Sequence, residues 1–404
     1  DDKDARYPVV VDPILWLPAW IRDSNIDGTR FGYYFAIAVA SAGDVNADGF
    51  DDVLVGAPKY SQPESHEGAA LLFLGSASGL SLSPAWTAEP DLYASYFGSA
   101  LAAAGDVNGD GFDDVIIGAA AESHLGGRAG AAHLYLGSSS GLSSTPDWSA
   151  TTNQAKGFGD SLVGAAGDVN GGGFNDVVVG TPDSAISDVG RADLYFGGPS
   201  GLSSAPAWTS TGTRTFGNPV RSADDFNRDG FADLLISDNQ TVHLFLGSPI
   251  GPSAAADWTT SSPAGTFFPT NAAWAGDVNG DGYGDAVVYG AGCNVLIFSG
   301  SASGLSSTPS RTVGGTTCYY ADSVKWSVAG AGDVNGDGFA DLVVGAPGSS
   351  ASISRAGKAY LFLGGCDDTD GDGSCDATDD CVDTPNANQA DADQDGFGDA
   401  CDGC

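Results

Sequence analysis

One nine-residue acidic pattern occurs six times along the chain and constrains the fold more than any other feature. It reads Asp-Val-Asn-Ala-Asp-Gly-Phe-Asp-Asp at residues 44–52, and the other copies begin at residues 106, 168, 225, 277 and 333. Successive copies start 52 to 62 residues apart, so no further unit fits between them. A period of this length indicates a repeat protein with one supersecondary unit per repeat. The chain is therefore predicted to contain six units.

Each unit has the periodicity of short strands. In the second unit, small residues at 99–105 lead into the acidic loop and a β-branched run at 115–117 leaves it. Aromatic alternation at 133–136, a Gly-Ser turn and a fourth run at 146–149 follow. Four strands without a helical pattern are typical of propeller blades. The predicted fold is all-β: a six-bladed β-propeller.

The two ends of the repeated region predict how the propeller closes. The sixth unit runs through residues 360–363 and lacks the fourth strand that carries Trp in other units. The missing motif stands near the start of the chain, where Leu17-Pro-Ala-Trp20 matches Ser83-Pro-Ala-Trp86. We predict that residues 14–22 complete the sixth blade and cover its open edge. The propeller is then residues 14–365, preceded by an arm at 1–13.

The acidic pattern itself predicts a calcium loop. Calcium takes six to eight oxygen ligands, and a Gly at position 6 permits the sharp turn that such a loop needs. Side chains at positions 1, 3, 5 and 9 and the carbonyl at position 7 would supply the oxygens. Position 12 is Val55, inside a predicted strand, so the loop joins two strands instead of the two helices of an EF-hand.

The third loop departs from the pattern because Gly172 stands where the others have Asp, and we predict a weak or empty site there. The predicted ligands in the six loops are Asp44, Asn46, Asp48, Phe50, Asp52; Asp106, Asn108, Asp110, Phe112, Asp114; Asp168, Asn170, Phe174, Asp176; Asp225, Asn227, Asp229, Phe231, Asp233; Asp277, Asn279, Asp281, Tyr283, Asp285; and Asp333, Asn335, Asp337, Phe339, Asp341.

Short motifs flank these loops. Phe-Gly precedes the acidic loops at 31–32, 97–98, 158–159 and 216–217, and Gly-Ala-Pro follows at 56–58 and 345–347, with variants at 118–120 and 180–182. Residues 14–365 thus resemble FG-GAP repeats, the blades of the integrin α-subunit propeller. The integrin head has seven blades where six are counted here, and units four to six lose parts of the motif. We therefore do not infer the ligand-binding properties of integrins for this chain.

Residues 366–404 differ in composition, with abundant Asp, five of the seven Cys and no Lys or Arg. Self-repulsion would leave such a segment disordered unless metal ions ordered it. Two further calcium loops are predicted here, with the ligands Asp368, Asp370, Asp372 and Asp376, and Asp391, Asp393, Asp395 and Asp399. The whole chain would then hold about five to eight calcium ions.

This C-terminal segment is similar to thrombospondin type 3 repeats at residues 380–386 and 395–402. The resemblance implies calcium ions wrapped by an irregular backbone and pinned by disulfides, with Cys381–Cys401 as the implied bridge and Cys366–Cys375 as a weaker one. Cys404 resembles the opening of a further repeat, and we expect the natural chain to continue. A redox or zinc pair at Cys401 and Cys404 is the alternative, but it lacks a strand–helix context and a nearby His.

Export is predicted from cysteine usage. Cysteines occur in the fifth unit alone among the six, at Cys293 and Cys318, and we predict a bridge between the loops that carry them. Cysteines paired in this way indicate an oxidising, extracellular compartment. The absence of Met fits the removal of an export signal.

The net charge of −37 excludes two classes of partner. Nucleic-acid binding depends on Lys and Arg, which number 15 against 52 Asp and Glu. Anionic membranes would repel the chain for the same reason, and no apolar run is long enough to span a bilayer. We predict no nucleic-acid partner and no direct membrane insertion.

The sequence offers little support for catalysis. It has no nucleophile elbow, phosphate loop or His spacing for a metal. His133 and His243 occupy equivalent third-strand positions where other units have different residues, which predicts a tolerant surface site. The Trp residues at 20, 86, 148, 208 and 258 are predicted to pack between blades rather than to stack on sugars, and Arg311 interrupts their series.

Recognition is predicted on the face opposite the acidic loops, where the loops after the second and fourth strands vary most. The alternative is that these loops vary in sequence without any role in recognition. These loops are 58–68, 88–96, 120–130, 181–190, 312–322 and 346–357, with Tyr60, Tyr93, Tyr96, Arg128, Tyr319 and Tyr320 as contact candidates.

The predicted function is that of a secreted or cell-surface, calcium-binding adhesion or ligand-binding propeller on an acidic stalk, without catalysis. Its partner would be an extracellular protein or glycan, or copies of itself. A structural subunit of an extracellular fibre or surface coat is the alternative. A polysaccharide-active enzyme, with a lyase or hydrolase site in the central channel, is the third.

Overall fold

A computed structural model describes residues 9–11, 25–26, 29–30, 38–121, 130–151, 163–182, 189–213, 215–238, 240–261, 272–290, 294–313, 327–346, 358–365, 381, 384, 390 and 400–401. Within this part of the chain, every regular element is a β-strand. Strands in consecutive order along the chain pair antiparallel to form six four-stranded sheets, numbered here in chain order. Repeated four-stranded sheets of this kind fit a β-propeller.

The first three sheets take all their strands from consecutive sequence. Sheet 1 contains Val39–Gly43, Asp52–Ala57, Ala69–Phe73 and Trp86–Ala88; sheet 2 contains Phe97–Gly105, Asp114–Ala119, Ala131–Tyr135 and Trp148–Thr151; sheet 3 contains Val163–Gly167, Asp176–Thr181, Gly190–Tyr195 and Trp208–Gly212.

The last three sheets follow the same order, except at one edge. Sheet 4 contains Val220–Ala223, Asp233–Ser237, Thr241–Phe245 and Trp258–Ser261; sheet 5 contains Ala272–Gly276, Asp285–Gly290, Asn294–Phe298 and Arg311–Val313; sheet 6 contains Ser327–Gly332, Asp341–Ala346, Lys358–Phe362 and, at its edge, Val9–Val11. A separate two-stranded pair joins Asn25–Ile26 and Thr29–Arg30.

Burial differs between the strands of one sheet in a way that the sequence explains. The second strand of sheet 2, Asp114–Ala119, is buried at every position, in keeping with its continuous apolar run. The fourth strand, Trp148–Thr151, alternates between half-buried and exposed residues. The second strand therefore lies inside the stack of sheets and the fourth at its margin.

Consecutive sheets pack face to face through a shared apolar core. Leu72 of sheet 1 and Ile117 of sheet 2 belong to one cluster, and Leu134 of sheet 2 and Val177 of sheet 3 belong to the next. Equivalent clusters join sheets 3 and 4, 4 and 5, and 5 and 6. Burial of these side chains is the main favourable contribution to the stacking.

The edge strand of sheet 6 comes from the N-terminal region, but from a different segment than the sequence predicts. Val9–Val11 pairs antiparallel with Lys358–Phe362, with Val10 opposite Tyr360. We predicted residues 14–22 for this position and assigned residues 9–11 to the N-terminal arm. Residues 14–22, with Trp20, lie outside the described residues. Three consecutive β-branched valines suit an edge strand without a Trp.

Few residues of the C-terminal segment are described. The Sγ atoms of Cys381 and Cys401 lie 2.02 Å apart, with a Cα–Cα distance of 5.5 Å. The other cysteines, and with them the predicted pairs Cys293–Cys318 and Cys366–Cys375, lie outside the described residues. A search of the described chain for a helix with the length and apolar character of a membrane span found none.

Candidate metal centres

All six acidic loops join the first strand of a sheet to the second, so they occupy one end of every sheet. The Gly at position 6 has a positive φ in each loop, from +81° at Gly173 to +92° at Gly338. L-residues with a side chain rarely adopt this conformation, which explains why position 6 is Gly throughout. The repeated sequence thus builds one turn geometry six times.

The Asp at position 1 holds the turn closed. In the first loop, Asp44 Oδ1 accepts the N–H of Asp48 at 3.0 Å, and Asp44 Oδ2 accepts the N–H of Gly49 at 2.7 Å. Asp48 Oδ1 in turn accepts the N–H of Phe50, and Asn46 donates its Nδ2–H to Asp48 Oδ2, both at 3.0 Å. The side chains at positions 1, 3 and 5 therefore gather on the inside of the turn.

The Asp at position 9 is completely or almost completely buried in every sheet. Each of its two carboxylate oxygens accepts one backbone N–H, at 2.7–3.1 Å, from the acidic loop and from the end of the third strand. The donors are Val45 and Gly75 for Asp52, Val107 and Gly137 for Asp114, Val169 and Gly197 for Asp176, Phe226 and Gly247 for Asp233, Val278 and Gly300 for Asp285, and Val334 and Gly364 for Asp341.

Burial is the largest influence on the pKa of the position 9 carboxyls of loops 1 to 5. It raises the pKa of Asp114, Asp176 and Asp233 to about 7 and that of Asp285 to about 6, although two backbone N–H donors act in the opposite direction. Neighbouring loop carboxylates, such as Asp110 beside Asp114, raise the pKa further. A buried carboxyl near other acids favours a cation as its neighbour.

The donor set fits a hard divalent cation in its chemistry. Loops 1, 2, 4, 5 and 6 each offer three carboxylates, one Asn oxygen and a backbone carbonyl, and calcium prefers ligand sets made only of oxygen. As the side chains stand, their oxygens accept loop N–H groups, and no three His, Cys, Asp or Glu side chains of the described residues are arranged to hold a metal. Binding would therefore require the oxygens at positions 1, 3 and 5 to move closer together around an ion, and each has a second lone pair for the ion while it accepts a loop N–H.

The third loop keeps the turn although it lacks the Asp at position 5. Asp168 Oδ1 accepts the N–H of Gly172 at 2.9 Å, and Asp168 Oδ2 accepts the N–H of Gly173 at 2.7 Å. Asn170 donates its Nδ2–H to Asp176 at 3.5 Å, where no carboxylate of position 5 competes. The fold of the loop therefore does not require an Asp at position 5. Without that Asp, the predicted ligand set carries one negative charge fewer than in the other loops.

The predicted sites of the C-terminal segment, Asp368, Asp370, Asp372, Asp376, Asp391, Asp393, Asp395 and Asp399, lie outside the described residues.

The four described tryptophans of the repeated series pack between sheets, as predicted. Each indole Nε1–H donates to a backbone carbonyl of the next unit, at 2.8–3.0 Å, and each ring meets an aromatic ring of the next third strand edge to face, with centroids 4.7–5.0 Å apart. The tryptophans and their acceptor and ring partners are Trp86 with Ser143 and Tyr135, Trp148 with Ser203 and Tyr195, Trp208 with Ser253 and Phe245, and Trp258 with Ser306 and Phe298.

The prediction of a surface position was wrong for His133. Its residue is only 7% exposed, its Nδ1 lies 2.8 Å from Ser149 Oγ, and its ring packs on Phe97. His243, in the equivalent position, is half-buried and meets the ring of Phe216 edge to face. Both imidazoles pack between neighbouring units, because Phe97 belongs to the apolar cluster between sheets 1 and 2 and Phe216 to the cluster between sheets 3 and 4.

Glu67, Asp193 and Asp238 are buried carboxylates that no sequence motif predicts. Glu67 is fully buried; its Oε1 accepts the N–H of Gln62 at 2.6 Å, and its Oε2 has no hydrogen-bond partner. Asp238 accepts hydrogen bonds from Thr213 Oγ1 and from the N–H groups of Gln240 and Thr241, at 2.7–2.8 Å. Two features of the sequence could have indicated two of them. Glu67 is a Glu in a chain whose acids are mostly Asp, and Asp238 stands where other units have the Gly-Ala-Pro motif.

Among the predicted contact residues, Tyr93 is 69% exposed, Tyr96 is half-buried against the ring of His66, and Tyr60 is buried. Tyr60 therefore serves packing instead of an open surface. Arg128, Tyr319 and Tyr320 lie outside the described residues.

Comparison with known proteins supports the repeat class. Residues 35–73, 97–135 and 326–362 match the FG-GAP repeat, and residues 225–288 match the FG-GAP-like repeat. Segments of sheets 1, 2 and 6 are thus similar to the FG-GAP repeat, and a segment that spans parts of sheets 4 and 5 is similar to the FG-GAP-like repeat. These matched segments contain acidic loops 1, 2, 4, 5 and 6.

Individual relatives are integrin α subunits. The chain is 32% identical to integrin alpha-PS3 of Drosophila melanogaster over 171 residues and 37% identical to integrin alpha-4 of Xenopus laevis over 168 residues. It is 29% identical to integrin alpha-5 of Xenopus laevis over 224 residues. These alignments cover 41%, 39% and 52% of this chain but only 15%, 16% and 20% of the relatives.

Proposed function

We propose that this chain is an extracellular, calcium-binding, non-catalytic adhesion or ligand-binding protein built on a six-bladed β-propeller. The observation that carries the proposal is the coincidence of FG-GAP repeats with six acidic turns of one geometry at one end of six sheets. The similarity to integrin α subunits favours adhesion over catalysis.

The calcium part of the proposal rests on charge. Each loop other than the third concentrates three carboxylates, one of them buried, and the chain has a net charge of −37. Divalent ions would offset the mutual repulsion of these groups and the cost of burying the position 9 carboxylate. Loops 1, 2, 4, 5 and 6 of the propeller are the proposed sites, with loop 3 weak.

Closure of the propeller into a ring is supported by a buried face of sheet 1 that sheet 2 does not cover. Ala70 and Leu72 of its third strand face sheet 2, so the alternating residues Leu71 and Phe73 face the other side. Leu71 and Phe73 are completely buried. We propose that sheet 6 and the N-terminal region cover them, as sheet 1 covers the equivalent Tyr135 of sheet 2.

The acidic C-terminal segment is proposed to be a calcium-ordered stalk like thrombospondin type 3 repeats. The bond between Cys381 and Cys401, which spans 20 residues of sequence, supports it because the resemblance implies this pair. A propeller on such a stalk would present the loops opposite the calcium loops to a protein or glycan partner at a distance from a cell surface.

Array binding tests the proposal directly. The full chain, loaded with calcium, is applied to glycan and extracellular-matrix arrays, with an EDTA-treated sample as the control. Binding to a defined glycan or matrix protein that is lost with EDTA supports adhesion. Ordered filaments or sheets by electron microscopy without array binding would instead identify a structural subunit, and hydrolysis or elimination of an arrayed polysaccharide would identify an enzyme.

A further inference from the structure

One junction between sheets differs from the other described junctions in its side chains. We use the term tryptophan slot for the space between consecutive sheets that holds the fourth-strand indole in the first four junctions. Between sheets 5 and 6 the fourth-strand residue is Arg311, and the third-strand residue equivalent to Leu74, Leu136 and Leu246 is Ser299. Two large apolar groups are thereby replaced by polar ones.

A cavity of about 440 Å³ lies at this fifth slot. Its apolar lining includes Ile297, Leu342 and Phe362, and its polar lining includes Arg311, Ser299 and the loop 6 carboxylate Asp337. Phe362 occupies the third-strand position of Tyr135, Tyr195, Phe245 and Phe298, the four rings that receive an indole edge to face in the other junctions. The cavity thus retains the aromatic contact surface of a tryptophan slot.

The polar side of the cavity is already ordered by hydrogen bonds. Asn279 donates its Nδ2–H to Ser299 Oγ at 3.2 Å, and Ser299 Oγ donates to Ser310 Oγ at 2.9 Å. Ser310 Oγ donates to the carbonyl of Ile297 at 3.1 Å. Each hydroxyl oxygen retains acceptor capacity, so a ring N–H or O–H of a ligand could be accepted here without rearrangement.

We propose that the fifth tryptophan slot binds a small, planar, electron-rich aromatic molecule of indole size. The volume lies within the range of small-molecule sites, and apolar cavities in proteins accept free aromatic compounds. The ring would meet Phe362 edge to face, as the indoles do elsewhere, while its face could lie against the Arg311 guanidinium in a cation–π contact. Ser299 and Ser310 would accept its polar hydrogen.

The four occupied slots argue for this ligand class. Each holds an indole with the same two contacts, a backbone carbonyl and an aromatic ring, so the backbone at these junctions is spaced for one bicyclic ring. Sheets 5 and 6 keep an apolar core of the same kind, with Ile297, Leu342 and Phe362 in it. The fifth slot therefore keeps the aromatic ring of the occupied slots through Phe362 and has no covalently attached indole, whereas residue 370, at the position of the acceptor carbonyl, lies outside the described residues.

Indole is the probe that tests this proposal. Isothermal titration and thermal unfolding of the full calcium-loaded chain should show one indole site and a melting temperature that rises with indole concentration. Arg311→Trp should raise the melting temperature without indole and reduce indole affinity by at least about tenfold, since the new side chain occupies the slot.

Two further variants keep the test decisive. Ser299→Leu restores the leucine of other units, narrows the cavity and should also weaken indole binding by about tenfold, even if Arg311→Trp fails to fold. Trp258→Ala opens the slot between sheets 4 and 5 and should gain a second indole site. Absence of indole binding by the unmodified chain, or binding that Ser299→Leu leaves unchanged, overturns the proposal.

Discussion

At the scale of single residues, several carboxyl groups are buried inside the sheets. The position 9 aspartates, Glu67 and Asp238 are all removed from water, yet their surroundings differ. The position 9 aspartates and Asp238 receive backbone donors on their oxygens, whereas Glu67 Oε2 receives none. Because burial raises the pKa of Glu67 whereas the pKa of Asp238 is lowered, the stability contributions of these two carboxyls should respond to pH in opposite directions.

Glu67→Gln should stabilise the protein at pH 7. Burial raises the pKa of Glu67 more than the N–H of Gln62 lowers it. A carboxyl whose pKa is higher in the folded protein than in the unfolded one lowers the free energy of unfolding as the pH rises from the unfolded pKa to the folded pKa. The neutral amide of Gln avoids this loss, so the variant's advantage is largest at high pH. The gain should vanish below about pH 4, near the unfolded pKa of Glu. Urea unfolding at both pH values measures it.

The exposed Glu64, three residues earlier, provides the matched control for Glu67. Glu64→Gln should leave the free energy of unfolding nearly unchanged. An equal gain from both variants would show that overall charge, and not the burial of Glu67, is responsible.

Asp238→Asn should destabilise the protein at pH 7 by up to about 2 kcal/mol. Burial acts to raise the pKa of Asp238, but the imidazole of His243, whose Nε2 lies 3.8 Å from Asp238 Oδ2, and hydrogen bonds from Thr213, Gln240 and Thr241 outweigh it and lower the pKa to about 2. Stability from a lowered pKa is present above the unfolded value near 4 and is lost as pH falls toward 2. Chemical unfolding between pH 2 and pH 7 should therefore show the two proteins converging in acid.

At the scale of elements, the fourth-strand indole of sheets 1 to 4 contacts the next sheet in each case. Trp148→Ala should lower the free energy of unfolding by about 3 kcal/mol, because it leaves a cavity and removes the hydrogen bond to Ser203. Trp274, which is 37% exposed, is the matched control, and Trp274→Ala should cost less than half as much. Equal losses would contradict a bridging role for the repeated tryptophans.

The acidic loop is the second element whose sequence can be tested. Gly172 has no positive φ, so Gly172→Asp is compatible with the backbone once the Asn170 side chain moves away. The variant should bind one more calcium ion than the unmodified chain, as counted by equilibrium dialysis, because it completes the third loop. Gly173→Asp, at φ +81°, should instead destabilise the fold and add no ion.

Sequence periodicity predicted the strands and acidic turns because both depend on local residue type. The alternation of Trp148–Thr151 and the glycines at position 6 carry that information directly. The location of Val9–Val11, the burial of His133 and the cavity beside Arg311 depend on what packs against them from another unit. Such contacts join residues far apart in sequence and leave no periodic signal.

At the scale of the whole molecule, the proposed architecture places the metal sites at one end of the stacked sheets and the variable loops at the other. The loops hydrogen-bond across units, as when Asn175 N–H donates to the carbonyl of Asp106 at 3.0 Å. An ion in one loop would therefore order the next unit as well. Adhesion through the variable loops would then depend on calcium without direct contact between ion and partner.

Calorimetry of the full chain with calcium and with excess EDTA tests this account most directly. We predict that calcium raises the melting temperature in a saturable way and that EDTA lowers it, with full recovery when calcium is restored. An unfolding transition that is the same in calcium and in EDTA would contradict the proposal that these acidic loops are metal sites.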